Sequence, residues 1–156
     1  MVNDNLNFEN ARLIFKNFAG EKTKYNAAGN RNFSVIIDNP EDAIMFKADG
    51  WNVREMPSRD PDEGPTYFLT VKVAYNDYPP NVYLVTSKKR TLLDEYTIDM
   101  LDQVEIANVD LIVRPYNYEV NGRTGVAAYL HTMYVTIREN PFAAKYEHLD
   151  SDGDPF

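Results

Sequence analysis

Over most of its length the chain alternates apolar and polar residues with period two, the pattern of strands that bury one face. Ala11–Phe18 sets Leu13 and Phe15 on one face and Arg12, Ile14 and Lys16 on the other. A polar loop follows through Ala19, Gly20 and Gly29, and Asn32–Asp38 is a second, aliphatic strand; the two read as the first long hairpin of a barrel. Tyr67–Tyr75 is the clearest strand, with Tyr67, Leu69, Val71, Val73 and Tyr75 opposed to Phe68, Thr70, Lys72 and Ala74. Asn76 to Asn81, with Pro79-Pro80, turns the chain into Asn81–Ser87, which runs directly into Lys88, Lys89 and Arg90. Val104–Val113 returns to strand, and Arg114-Pro115 predicts an edge or bulge because proline has no ladder donor. Tyr116–Val120 and Val126–Ile137 flank Asn121-Gly122, the strongest hairpin signal in the chain, with Arg123-Thr124-Gly125 available to lengthen its loop.

Two segments have helical character. Pro40–Gly50 carries Asn39 as a cap, proline in the first turn, acids early and glycine as a stop, and Ala43, Ile44, Met45 and Phe46 are expected to pack inward. Leu92–Asp102 reads as an amphipathic helix with Leu93, Ile98 and Leu101 inward and Asp94, Glu95, Asp99 and Asp102 outward. Trp51–Met56 is a short strand, Pro57–Pro65 a surface loop, and Met1–Glu9 a polar start expected to fray. About seven strands with two short helices, and no helix–strand alternation, predict an all-β fold, a small Greek-key β-barrel spanning residues 1–138. No repeat, heptad or low-complexity block is present.

The net charge of −8 changes meaning once it is located. Residues 139–156 contain five acids and one lysine and so hold half of it. Within the body the signs segregate: Arg12–Ile37 has five bases against Glu21, and Lys72–Leu93 has four against Asp77. Asp38–Thr66 and Asp94–Asp110 are acidic connectors. Basic segments that meet in space would form one positive face on an acidic protein, as a phosphate backbone requires. The absence of cysteine excludes disulfides and thiolate metal sites. A polar, acidic start and the lack of a long apolar run predict a soluble, cytoplasmic protein without a membrane partner.

Eleven tyrosines, eight phenylalanines and one tryptophan are interleaved with bases. Single strands are bound by stacking bases on aromatic faces while Lys and Arg follow the phosphates. The candidate contacts are therefore Lys16, Lys22, Lys24, Tyr25, Arg31, Trp51, Arg54, Lys72, Tyr75, Lys88, Lys89, Arg90, Arg114, Tyr116, Tyr118 and Arg123. Tyr25 beside Lys24, and Tyr116 and Tyr118 beside Arg114, lead among the aromatics; Phe15, Phe33 and Phe68 are assigned to the core. No catalytic residue, metal site or cofactor is expected. His131 lies in a strand, and Walker loop, nucleophile elbow and zinc spacing are all missing.

Residues 139–156 form an acidic tail, expected to be disordered, that closes in Asp150-Ser151-Asp152-Gly153-Asp154-Pro155-Phe156. Gly153 and Pro155 break regular structure, and the spaced carboxylates repel one another. An apolar side chain at the end of an acidic extended peptide suits a partner with a greasy pocket and a basic rim. Asp150, Asp152, Asp154, Pro155 and Phe156 are the candidate partner-binding residues. A calcium loop is a poorer reading, since an EF-hand needs further ligands and a glutamate at its twelfth position.

This tip resembles the acidic end of the single-stranded-DNA-binding proteins of bacteria and phages, which alternates Asp with small residues and closes in Pro-Phe. The opening is similar to theirs too: an apolar strand, Lys24-Tyr25, Gly29 four residues later, then Phe33-Ser34 leading an aliphatic strand. The resemblance implies an oligonucleotide/oligosaccharide-binding (OB-fold-like) barrel that coats single-stranded DNA with little sequence preference during replication or recombination, in a bacterial or phage-infected cell. It also implies that the tip recruits replication and recombination proteins. The long Gly/Gln-rich linker of the bacterial family is missing, so its tetramer is not carried over, and a homo-oligomer, dimer or monomer all remain open. Two rivals belong to other classes. An acidic interaction factor or DNA-mimic inhibitor would have its basic segments dispersed in space; a metal-dependent nuclease would depend on body carboxylates and magnesium.

Overall fold

A computed structural model describes residues 1–139, and apart from Glu139 the expected acidic tail lies outside them. The elements in chain order are β1 (Leu6–Phe8), β2 (Leu13–Asn17), β3 (Arg31–Ile37), α1 (Pro40–Asp49), β4 (Val53–Met56) and β5 (Thr66–Val73). They continue with β6 (Asn81–Val85), β7 (Arg90–Leu93), a 3-10 turn (Ile98–Asp102), β8 (Ile106–Val120) and β9 (Arg123–Ile137).

All nine strands join one sheet, whose main path runs β1-β8-β9-β5-β3-β2. The sheet is not closed: β1 and β2 are the two ends of that path. β4 adds to β5, and β6 adds to β9 and carries β7. The fifteen-residue β8 and β9 form a long antiparallel hairpin through Asn121-Gly122, and Val120 pairs with Arg123 across it. Both turn residues have positive φ, +52° and +77°, as the two-residue turn that matches strand twist demands. On its other edge β9 pairs in parallel with β5 at Val71↔Ala128 and Lys72↔Tyr129, then with β6 from Asn81↔Thr132 to Val85↔Thr136. A register shift in the β8–β9 ladder leaves His131 without a partner at this handover.

The core lies on one face of the sheet. Phe18 and Phe33 stack with centroids 5.1 Å apart, and Val35, Leu69, Val71, Val109, Val113, Met133 and Val135 are fully buried around them. Asp102 ties the 3-10 turn to the end of β2: the Phe18 and Ala19 N–H groups donate to its two oxygens at 2.8 and 2.9 Å. At α1 the predicted punctuation is observed. The Glu41 N–H donates to Asn39 Oδ1, and the Gly50 N–H closes back on the Lys47 and Phe46 carbonyls at φ +111°.

Several expectations need correction. Residues 1–9 are tied down: β1 pairs with β8, the Val2 N–H donates to Asn117 Oδ1, and Asn117 Nδ2 returns a bond to the Val2 carbonyl. Leu92–Asp102 is no continuous helix, because Arg90–Leu93 is drawn into pairing with β6 and only Ile98–Asp102 coils; Leu93, Ile98 and Leu101 are nevertheless buried. Arg114-Pro115 lies at an edge as expected, but β8 runs through it without interruption. Proline is accommodated there because β1 covers β8 only from Leu111 to Val113, leaving a single partner at the level of Pro115. On α1 only Ala43 is buried, and Ile44 and Met45 are exposed.

Phe15 also departs from alternation. β2 loses register with β3 between Ile14 and Asn17, and Phe15 sits at φ +52°, a conformation uncommon for an aromatic residue. Its ring is thereby turned out of the core, 59% exposed, against the edge of Phe68 at 5.7 Å.

Because Gly122 sits at positive φ in open space, Gly122→Ala should cost about 1–2 kcal/mol through backbone strain alone. A thermal or urea melt checks this, and the same substitution at Gly64, which has no positive φ and no close neighbour, should leave stability nearly unchanged.

Candidate nucleic-acid interface

Residues opposite one another in a ladder share a face, so register decides which side chains meet. One row crosses five strands: Asn17 (β2), Asn32 (β3), Lys72 (β5), Tyr129 (β9) and Arg114 (β8). It lies on the face opposite the core, where Val71 pairs with Ala128 and Val113 with Leu130, all four buried. At its centre the Tyr129 ring is approached by two cations, with the Arg114 guanidinium 4.9 Å and the Lys72 ammonium 5.8 Å from its centroid. Each such contact contributes on the order of 0.5–1 kcal/mol at an exposed site and fixes a cation over the sheet. Tyr116, two residues along β8 and 53% exposed, packs edge-on against Tyr129 at 5.6 Å. Arg114 also reaches to 5.9 Å from the ring of Tyr78, which is 75% exposed.

A second group lies farther along β9. Tyr134 and Tyr83 are register partners whose rings stack at 5.0 Å and 13°. The Arg90 guanidinium stands 4.7 Å from Tyr83 and 6.0 Å from Tyr134. Five residues of strand separate Tyr129 from Tyr134, about 17 Å. Between the groups lies a cleft of about 510 Å³ that includes Tyr78, Asn81, Arg114 and His131.

A third group surrounds the loop after β2. Tyr25 is 90% exposed with the Lys24 ammonium 5.7 Å from its ring, and it borders a hollow of about 660 Å³ that Phe15 also lines. The loop is held to the sheet row by Asn32, whose Nδ2 donates to Asn26 Oδ1 and to the Asn30 carbonyl.

The sixteen predicted contacts therefore separate. Lys72, Arg114 and Tyr116 come together; Arg90 joins the Tyr83–Tyr134 pair; Lys22, Lys24 and Tyr25 are exposed in the loop. Lys88 and Lys89 are exposed in the β6–β7 turn, Arg54 on β4 and Arg123 at the hairpin. Lys16 is committed elsewhere, donating to the Leu101 carbonyl at 3.0 Å. Trp51 is corrected to the core, 3% exposed and bridged to Val126, so its ring is not presented for stacking. Tyr118 is half-buried, accepting a bond from Asn52 Nδ2 at 2.8 Å and covering Gly125. Tyr75 is also half-buried, beneath Arg31, whose guanidinium lies 5.7 Å from its ring and donates to the Glu95 carbonyl. Phe33 keeps its core assignment, whereas Phe15 does not.

Sequence reading left Tyr129, Tyr83, Tyr134, Tyr78 and Phe15 out of the candidate set. Strand parity placed Tyr129 opposite buried Leu130 and was available as a signal; the pairing of Tyr83 with Tyr134 depends on the shift at His131 and was not. The two basic segments are neighbours in the sheet, where Arg31 pairs with Val73 and Asn32 with Lys72, and Arg114 joins Lys72 over one ring although 42 residues away in sequence.

Tyr75 has a pKa raised from 10.0 to about 12, chiefly through burial, with Asp94 and Glu95 adding to the shift and Arg31 opposing it. Its hydroxyl and Arg31 Nε are buried without hydrogen-bond partners among the described residues. Between pH 10 and about 12 the folded state keeps a proton that the unfolded state has lost, so Tyr75 contributes stability below pH 10 that is lost as pH rises through this window. Tyr75→Phe should remove that component, seen as a difference in urea midpoint between variant and wild type that grows from pH 9 to pH 11. At neutral pH the variant should be equal to wild type or up to about 1 kcal/mol more stable, because an unpaired buried hydroxyl is removed.

Comparison with known proteins gives a consistent placement. Residues 1–154 match the family model described as "Putative phage ssDNA-binding domain". No curated protein sequence matches the chain. Among solved structures the chain is similar to a C-terminally truncated single-stranded DNA-binding protein from bacteriophage Enc34, with a TM-score of 0.55 at 12% identity over 88% of each chain. The same phage protein in complex with ssDNA gives 0.55 at 12% identity, over 88% of this chain and 89% of that one. A further structure of the single-stranded DNA-binding protein from bacteriophage Enc34 gives 0.51 at 13%, over 88% of this chain and 83% of that one. At such identities the likeness is one of fold, and it places this open sheet with OB-fold-like proteins.

Proposed function

The chain belongs to the phage single-stranded-DNA-binding domain family, and we propose that it binds the strand across the face built on β9, with little sequence preference over most of its path. The carrying observation is the row in which Lys72 and Arg114 flank Tyr129. The exposed rings of Tyr116 and Tyr78 offer stacking platforms, and the two cations lie where phosphates would pass between stacked bases. Arg90 with Tyr83 and Tyr134 extends the path along β9, and Lys24 with Tyr25 extends it across the sheet. Lys22, Arg54, Lys88, Lys89 and Arg123 are exposed cations that add long-range attraction. The role follows from the chemistry: a strand held by stacking and charge is protected during DNA replication or recombination whatever its sequence.

The acidic segment Asp150–Phe156 completes this reading. Its carboxylates compete with DNA for the basic face, and Pro155 and Phe156 offer a partner protein an apolar anchor within an acidic peptide. Deleting it should tighten DNA binding at low salt and remove recruitment of replication and recombination proteins; unchanged affinity together with an unchanged set of partners would discard this role.

The direct test is fluorescence titration of oligo-dT and a matched duplex. Tight single-strand binding that weakens with salt, with a much poorer duplex signal, is expected. Tyr116→Ala should weaken oligo-dT binding by about 1–3 kcal/mol, the loss of one stacked base. Arg114→Ala should weaken it and lower the slope of log affinity against log salt by about 0.7, one phosphate on a single strand. Trp51, the single tryptophan and a core residue, should keep blue-shifted emission that oligo-dT does not quench.

A further inference from the structure

Where β9 exchanges β5 for β6, the segment joining those two strands brings Asp77 and Tyr78 over the handover. Together with Asn81, Arg114, Leu130 and His131 they enclose the cleft of about 510 Å³, a size common for small organic ligands. The cleft combines a carboxylate, a guanidinium and an exposed ring. Asp77 is an exposed, acceptor-only group lining the cleft with Arg114 and Tyr78, and it makes no hydrogen bond or ion pair among the described residues. A carboxylate there repels a phosphate and favours a group that presents N–H donors. Tyr78 supplies an exposed ring at the wall, and Arg114, poised between Tyr78 and Tyr129, supplies donors at the same cleft.

We propose that this cleft is a nucleobase pocket that selects guanine within an otherwise unselective single-strand interface. It rests on the strand-binding reading above and adds to it a base-reading site. Guanine offers an O6 acceptor beside N1–H and N2–H donors. The two donors match the two oxygens of Asp77 in parallel hydrogen bonds, and O6 takes one of the five N–H donors of Arg114, whose remaining donors stay available to the phosphate. Cytosine and adenine each offer one amino group and rank next. Thymine ranks last, because its single N–H lies between two carbonyl oxygens that the carboxylate repels.

The test is competition against a labelled oligo-dT by unlabelled strands of equal length, oligo-dT itself and repeats of TTG, TTC and TTA, in lithium buffer to suppress four-stranded guanine structures. TTG repeats should bind about tenfold more tightly than oligo-dT, the expected size of one good bidentate base contact. In Asp77→Asn the ratio of TTG to oligo-dT affinity should fall to near one, because an amide turns a donor toward guanine's donors; Asp77→Glu should retain part of it. Equal affinity of the wild-type protein for TTG and oligo-dT, or an undiminished ratio in Asp77→Asn, overturns the pocket while leaving strand binding in place. Failure of the wild-type protein to bind any of the strands overturns both.

Discussion

The structure depends on β9 finding strand partners on both of its edges. β8 covers one edge along its whole length, which the turn at Asn121-Gly122 enforces. No single strand covers the other. β5 supplies the first part and β6 the second, both in parallel, and the unpaired residue at His131 takes up the mismatch between them. β5 and β6 follow one another in the same direction along that edge, so the chain passes from one to the other through residues 74–80. That connection, carrying Asp77 and Tyr78, walls the cleft.

Once β9 is fixed, the two faces of the sheet have different fates. The inward row, Ala128, Leu130, Met133 and Val135, closes the core with Val71, Val82 and Val113. The outward row, Tyr129 and Tyr134, has no layer over it. Its rings are instead bordered by Lys72, Arg114 and Arg90, which hold their charges at the surface while their stems lie along aromatic faces. Such an arrangement stabilises the free protein only modestly. It does position cations and rings in alternation before any ligand arrives, which reduces the ordering cost of binding. The −8 net charge is compatible with this because the acidic connectors and the basic face occupy different parts of the chain.

Elements whose determinants are local were legible in the sequence. The Asn39 cap, Pro40 and Gly50 bound α1 as expected, and Asn121-Gly122 makes the expected turn. The alternation of Tyr67–Tyr75 correctly buried Leu69, Val71 and Val73 and turned Lys72 outward. Where pairing competed with local preference, the reading failed. Arg90–Leu93 has helical neighbours but gains a full ladder with Val82–Val85, and Leu6–Phe8 gains one with Leu111–Val113. Leu93, Ile98 and Leu101 were placed inward correctly although their secondary structure was not, because burial follows hydrophobicity even when the backbone takes another course.

The sequence by itself determined an all-β chain with one capped helix, a core of aliphatic strands, and a body in which basic and aromatic residues recur together. It did so because turn chemistry, capping and alternation act over a few residues. Only the tertiary structure decided that Trp51 is core and Phe15 surface, since the first depends on a bridge to Val126 and the second on a shift in the β2–β3 ladder. It also decided that Lys72 and Arg114 share one tyrosine, and that Tyr83 stacks on Tyr134. Those meetings are set by strand register between distant segments, and register is a property of the assembled sheet that no local pattern encodes.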